Sequence, residues 1–292
     1  MAELIDVTAA TAGDLGFFCY KSKRKSAGYR AKDAWLHARF AEGMRLKLLM
    51  AEGRWRGFIE WIPGDFAWRA VHASNYALIH CIWVIGSTKG QGHGQALLDD
   101  CEAAACRAGL DGVAIVVSAG NWLAGERLFA RNGYAVVDHA PPRFQLAAKR
   151  FGDAPLPIFP TDWDARCRPD DDGVAAFYSD QCPYIADTLE AMRAVCAGQS
   201  IAFRAVKLES AKDVRNRAPC AYGVFWGGTT WPPADLSSHR RKGVRGSVEF
   251  ALASGQLTQR KVPRWRSGHT DPGSVHHQSV HSGLHSGRCE RF

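Results

Sequence analysis

Along residues 1–151 the apolar positions fall in short blocks whose period switches between two and about three and a half. Leu4-Ile5-Asp6-Val7 predicts a first strand, and Thr11-Ala12-Gly13-Asp14 starts a helix carrying Leu15, Phe17 and Phe18. Ala34, Trp35, Ala38 and Ala41 share one face of a helix over 31–42 that Gly43 ends. Residues 45–50 alternate polar and apolar, turn at Glu52-Gly53 and return through 57–62 to Pro63-Gly64, which predicts an antiparallel hairpin. Leu78-Ile79-His80-Cys81-Ile82-Trp83-Val84-Ile85 suits a strand buried on both faces. A glycine-rich turn follows it, then a helix over 95–108 and a second buried strand over 112–117, parallel to the first through the crossover. Leu128 and Phe129 mark a helix that stops at Asn132-Gly133. Strands over 134–137 and 144–151, broken by Pro141-Pro142, complete the sheet.

The pattern thins into a Pro-, Asp- and Trp-rich connector over 152–172 and then resumes. Val174-Ala175-Ala176-Phe177-Tyr178 predicts a strand, Cys182-Pro183-Tyr184 a turn, 185–196 a helix and 201–208 another strand. After Phe225 apolar periodicity fades, and residues 236–292 are expected to be a disordered basic tail.

Charge changes the picture only once it is located. Of the formal +8, the stretch from His239 onward carries +7, with ten Lys and Arg against three acidic residues, so everything before it is close to neutral. A nucleic-acid role therefore rests on the tail alone and is not expected. Nine cysteines without a Cys-x-x-Cys pair argue against a disulfide scaffold and a zinc ribbon. No metal site is predicted; the six histidines of the last 54 residues suggest at most adventitious metal binding. No apolar run reaches the length of a membrane span, and the first residues lack the layout of a signal peptide, so a cytoplasmic protein is expected.

Candidate chemistry centres on the glycine turn. A helix that starts there presents unpaired N–H groups and a positive dipole end to an anion. The spacing matches neither a Walker loop nor a dinucleotide fingerprint. What stands here is Lys89-x-x-Gly92-x-Gly94, preceded by Val84-x-Gly86. This resembles the acyl-CoA pyrophosphate loop of the GNAT N-acetyltransferases. Asn121 ahead of a helix with Leu128-Phe129 and Gly133-Tyr134 is similar to a second signature of that family. Strand, Cys-Pro-Tyr and helix in the second half resemble the start of a glutaredoxin-like thioredoxin fold, with Pro219 where that fold often keeps a cis-proline. The order of the two halves resembles the YoaP-like acetyltransferases.

These resemblances imply an α/β (α+β) chain. A GNAT fold with a mixed central sheet occupies 1–151, a linker 152–172, and an incomplete thioredoxin-like domain 173–235. They imply transfer of an acetyl group from acetyl-CoA to a primary amine, the acceptor being a small molecule. Amides of Gly90, Gln91, Gly92, His93, Gly94 and Gln95 would cradle the diphosphate. Lys89 would add charge, backbone of Trp83, Val84 and Ile85 would pair with the pantetheine arm, and Asn121 would hydrogen-bond the cofactor. The basic run Lys21-Ser22-Lys23-Arg24-Lys25 reads as a solvated loop or as a basic rim for the CoA phosphates. An alkyl ammonium sits about three units above neutral pH, so a base is useful. His80, expected on one face with Leu78 and Ile82 and opposite to Cys81, is the first candidate, and Glu60 the second. The tyrosine that many family members use as acid is replaced by Phe129, and Tyr134 is no evident substitute. Cys182, at a helix N-terminus that would favour its thiolate, has no second thiol three residues on, where Ile185 stands. It motivates the other reading, a non-catalytic acyl-CoA or thiol-sensing module.

Overall fold

In the computed structural model, which describes residues 2–88, 90–118, 123–166 and 173–228, four strands open the chain. They are β1 (Ala2–Val7), β2 (Arg45–Ala51), β3 (Arg54–Pro63) and β4 (Tyr76–Val84), paired antiparallel in sequence order. Helices α1 (Ala12–Leu15) and α2 (Ala27–Phe40) lie between the first two. The second helix starts earlier than its apolar stripe predicts, because Ser26 caps it by accepting from the Tyr29 N–H. Then α3 (His93–Arg107) crosses over to β5 (Gly112–Ser118), which lies parallel to β4. After α4 (Glu126–Arg131) come β6 (Ala135–Ala140) and β7 (Phe144–Arg150), and β7 inserts next to β5. The result is a seven-stranded mixed sheet, β1-β2-β3-β4-β5-β7-β6. Its pleat sends Leu48, Ile62, Leu78 and Val116 toward Trp35 and Leu36 of α2, and Leu49, Ile59, Ile79 and Val117 toward Leu97, Leu98 and Cys101 of α3. Burial of each such Leu or Ile contributes about 1.5–3 kcal/mol.

One irregularity in the sheet shapes the site. Glu60 pairs with Cys81 but Trp61 pairs with Ile79, so His80 is an extra residue in β4. A bulge of this kind bends its strand and raises its twist. The parallel ladder between β4 and β5 ends beside it, at Ile79 and Ile115, although the two strands run on to Val84 and Ser118.

The expected connector is partly packed rather than free. His72 and Ile158 exchange backbone hydrogen bonds, the Phe159 N–H donates to Asp138, and Phe159 and Trp163 are buried, the latter in α5 (Trp163–Arg166). Next, β8 (Val174–Tyr178), α6 (Ile185–Gly198) and β9 (Phe203–Lys207) make a parallel β-α-β unit. Two elements that periodicity missed follow it. The first, α7 (Ala211–Arg217), is capped by Ser210 accepting from the Asp213 N–H, and β10 (Phe225–Gly228) pairs antiparallel on the free edge of β8. The second sheet is thus β10-β8-β9. Among the described residues the cis peptide bond is Pro141–Pro142, and not the bond before Pro219. Lys89, Asn121, residues 229–235 and the expected tail 236–292 lie outside the described residues.

All described residues belong to one compact unit. Tyr20 donates to Asp187 of α6, and Arg215 of α7 donates to the Asp65 carbonyl at 2.6 Å. The two halves also come close at Gly28 in α2, where a Cβ would overlap the Pro183 carbonyl oxygen. Gly28→Ala is therefore expected to destabilise by about 1–3 kcal/mol despite its better helix propensity. Gly13→Ala in α1, where a Cβ meets nothing within 4 Å, should be neutral to slightly stabilising, and urea unfolding of the two variants checks the contrast.

Candidate functional site

The turn between β4 and α3 has the geometry of an anion cradle. Gly90 and Gly92 have φ of 84° and 78°, left-handed values that free the amides to converge on one side, and neither position has an atom within 4 Å of a would-be Cβ. Gly92 is the N-cap of α3. The first backbone N–H bonded back to it is that of Ala96, at 3.0 Å, so His93, Gly94 and Gln95 carry the unpaired N–H groups of the first turn. The Gln95 side chain is held by Asp99 and Asn132, which leaves its amide as its contribution. His93 is buried, with no partner for Nε2 among the described residues. These groups fit a diphosphate.

Where β4 leaves β5, a cavity opens. From the first half it is lined by Cys19, Lys32, Glu60, Arg69, His80, Cys81 and Trp83, with Ile115 and Val116 of β5; from the second by Gln181, Cys182, Tyr222 and Val224. Lys32 and Glu60 form an ion pair at 2.8 Å, with side chains 2% and 5% exposed. Lys32 also lies 4.6 Å above the ring of Trp35. Arg69, 2% exposed, has no carboxylate partner among the described residues. Its guanidinium donates to the carbonyls of Trp68 and His80 and to Gln181 Oε1, and sits 5.0 Å from the Tyr222 ring.

His80 is placed differently from its expected position. The bulge turns both His80 and Cys81 toward this cavity instead of to opposite faces, because an extra residue breaks the two-residue alternation. Nε2 of His80 accepts the Trp68 N–H at 2.9 Å, so the neutral ring carries its proton on Nδ1, which is buried without a partner. Burial, then the charges of Arg69, Lys32 and Arg39, hold its pKa well below that of a free histidine. The ring's one lone pair is thus engaged, and among the described residues Glu60 is the carboxylate that borders the cavity.

The thiols also need a correction. Cys182 was expected as a thiolate, but burial outweighs the Tyr184 N–H and raises its pKa. Cys81 is pushed up to about 12, first by burial and then by Glu60. Phe129 is fully buried and meets Tyr134 edge-on at 5.3 Å. Tyr134 belongs to the core on the α3 side and does not border the cavity. Sequence reasoning missed Arg69, Gln181 and Tyr222. None lies in a motif, and only the packing of the two halves unites them. Among the described residues no cluster of His, Cys, Asp or Glu is arranged to hold a metal, and no helix is long and apolar enough to cross a membrane.

No protein-family model matches the chain. It is similar to an uncharacterized N-acetyltransferase, YoaP, of Bacillus subtilis, with 29% identity over 225 residues, covering 76% of this chain and 88% of the relative. Among solved structures it is similar to PaiA N-acetyltransferase of Thermoplasma acidophilum in complex with coenzyme A. That match has 14% identity, covers 51% of this chain and 99% of the other, and has a TM-score of 0.37. Another is a streptothricin acetyltransferase of Bacillus anthracis in complex with acetyl coenzyme A, at 15% identity, 37% and 62% coverage and a TM-score of 0.31. These relatives are acetyltransferases, and the two solved structures hold CoA or acetyl-CoA.

Two stability measurements follow from the site. Lys32→Met strands the Glu60 charge in the interior and is expected to cost about 3–5 kcal/mol, whereas Lys32→Met with Glu60→Leu recovers most of it. Because the folded-state pKa of His80 lies below the unfolded value of 6.5, only the unfolded chain takes up this proton as pH falls through 6.5. Stability should then drop by up to about 1.4 kcal/mol per pH unit below that point. Denaturation series between pH 5 and 8 should show His80→Gln with a shallower acid limb.

Proposed function

We propose that the chain is an acetyl-CoA-dependent N-acetyltransferase of the GNAT type, acting on a primary amine of a small molecule. One juxtaposition carries this reading. The open amide end of α3 follows directly on a strand that has lost its neighbour, and that strand leads into a polar cavity. The name of the YoaP relative points the same way. Acetyl-CoA would supply the acetyl group as an activated thioester. Amides of Gly90 and of Gly92 to Gln95 would hold the diphosphate, the Gln91 N–H being given to the Thr88 carbonyl, with Lys89 adding charge, and Asn121 would bond the cofactor. The edge of β4 over Trp83 and Val84, free of β5, offers backbone groups to an extended pantetheine arm, whereas the Ile85 N–H donates to the Arg56 carbonyl and its own carbonyl accepts from Thr88.

In this reading the acceptor amine enters from the side of Lys32 and Glu60. Glu60 takes the ammonium proton, directly or through water, the amine nitrogen bonds to the acyl carbon as the C–S bond breaks, and the second proton lost by that nitrogen ends on the departing CoA sulfur. A leaving thiol of pKa about 8.5 needs little help from an acid. His80 is a positioning residue, fixing the Trp68–Arg69 segment rather than moving protons. The second half, residues 173–235, is read as an incomplete thioredoxin-like domain, supported by its strand–Cys-Pro-Tyr–helix order and parallel β8 and β9. Its Cys182 is a buried neutral thiol that walls the cavity, and the sensing alternative has no observation in its favour. With 152–172 as the joining segment, 1–151 is the catalytic portion.

The full chain, given acetyl-CoA and a panel of amines, is expected to release free thiol with matching N-acetyl product; binding of CoA with no transfer to any amine would remove the enzyme reading. Gly92→Val, which forces a branched side chain to a φ of 78°, should raise KM for acetyl-CoA about tenfold with little change in kcat, consistent with about 1–2 kcal/mol of strain in the cradle.

A further inference from the structure

Two buried donors on residues that line the cavity have nothing to donate to among the described residues. Gln181, 5% exposed, gives its Oε1 to Arg69 and leaves its Nε2 without a partner. His80, 3% exposed, leaves its Nδ1–H without one. Arg69, which bonds to both residues, donates only to neutral oxygens and has no direct ion pair among the described residues. Leaving a buried donor unpaired costs about 1–3 kcal/mol, and a buried charge without a counter-ion costs more. Among the described residues the carboxylate bordering the cavity is Glu60, and it is taken by Lys32. The surplus is one positive charge and two neutral N–H groups, on the cavity that also touches Trp83 and Val116, where β4 and β5 part.

We infer that this is a carboxylate site, and that the acceptor is an amino acid or a similar small amine bearing a carboxylate, held by Arg69, Gln181 Nε2–H and His80 Nδ1–H. A planar monoanion matches the surplus in both charge and number of donors. A phosphate would bring up to two charges and three oxygens to a site that offers one charge and two free neutral donors. The diphosphate cradle is a separate feature, at the N-terminus of α3. The second half of the chain thereby takes part in binding, since Gln181 reaches the substrate from the segment between β8 and α6. The inference builds on the transferase reading, but the site itself is testable without turnover.

Gln181→Glu places a carboxylate of nearly the same shape beside Arg69 and spares the guanidinium, which also satisfies backbone carbonyls. With the full chain and no acetyl-CoA, this variant is expected to melt about 2–4 °C above the parent, and Gln181→Met below it. A Gln181→Glu variant that melts at or below the parent temperature overturns the carboxylate site, whatever the chain's activity. In the turnover arm, the protein amino acids, β-alanine and γ-aminobutyrate are each compared with the amine lacking the carboxylate. The acids should show KM lower by about ten- to a hundredfold, and Gln181→Glu should abolish that preference. Turnover of plain amines with equal or lower KM overturns the inference and leaves the transferase reading standing. Higher melting of Gln181→Glu without turnover of any amine upholds the anion site and removes the transferase reading.

Discussion

The extra residue in β4 is the constraint on which the rest of the molecule hangs. Inserting His80 opposite the Glu60–Trp61 step leaves a backbone carbonyl without a ladder partner and turns two successive side chains to one side. A buried carbonyl has to be satisfied, and here the guanidinium of Arg69 does it, while the Trp68 N–H is taken by the His80 ring. The bulge thus explains why β4 and β5 part after Ile79 and Ile115, and why an arginine sits in the interior beside the gap. A straight β4 could remain paired with β5 to its end, and there would be neither a cleft nor a reason for the cation.

Burying that cation has consequences for the neighbours. His80 is kept neutral and the thiols of Cys81 and Cys182 are kept protonated, all chiefly by loss of water. Lys32 and Glu60 cancel one another. Ion pairs of this kind add little net stability compared with apolar packing but are costly to break, which makes them suited to fixing one arrangement of groups rather than to strengthening the fold. The cavity is therefore a preorganised set of donors in a low-dielectric setting, where each polar contact with a ligand counts for more than it would at the surface.

The smaller β-α-β unit and the segment after it wall the cavity. Gly28 lets α2 come against the Pro183 carbonyl, and Tyr20–Asp187 and Arg215–Asp65 tie the edges. This docking carries Gln181, Cys182 and Tyr222 to the mouth of the β4–β5 gap. Sequence distance gives no hint of such a meeting: Arg69 and Gln181 are hydrogen-bonded although 112 residues apart.

What the sequence determined by itself was the order of strands and helices through residue 151, the crossover from β4 to β5, the glycine turn and the β-α-β start of the second half, because local period and glycine placement encode these directly. It did not mark α7, whose seven residues are too short for a stripe, nor β10, whose Trp-Gly-Gly lacks strand character until β8 offers an edge. Only the tertiary structure decided where His80 points and what it bonds, since a one-residue bulge inverts every face assignment beyond it while leaving the apolar pattern unchanged. The same holds for the fate of Cys182 and the pairing of Arg69. Burial and long-range contact set a side chain's charge state, and neither can be read from its neighbours along the chain.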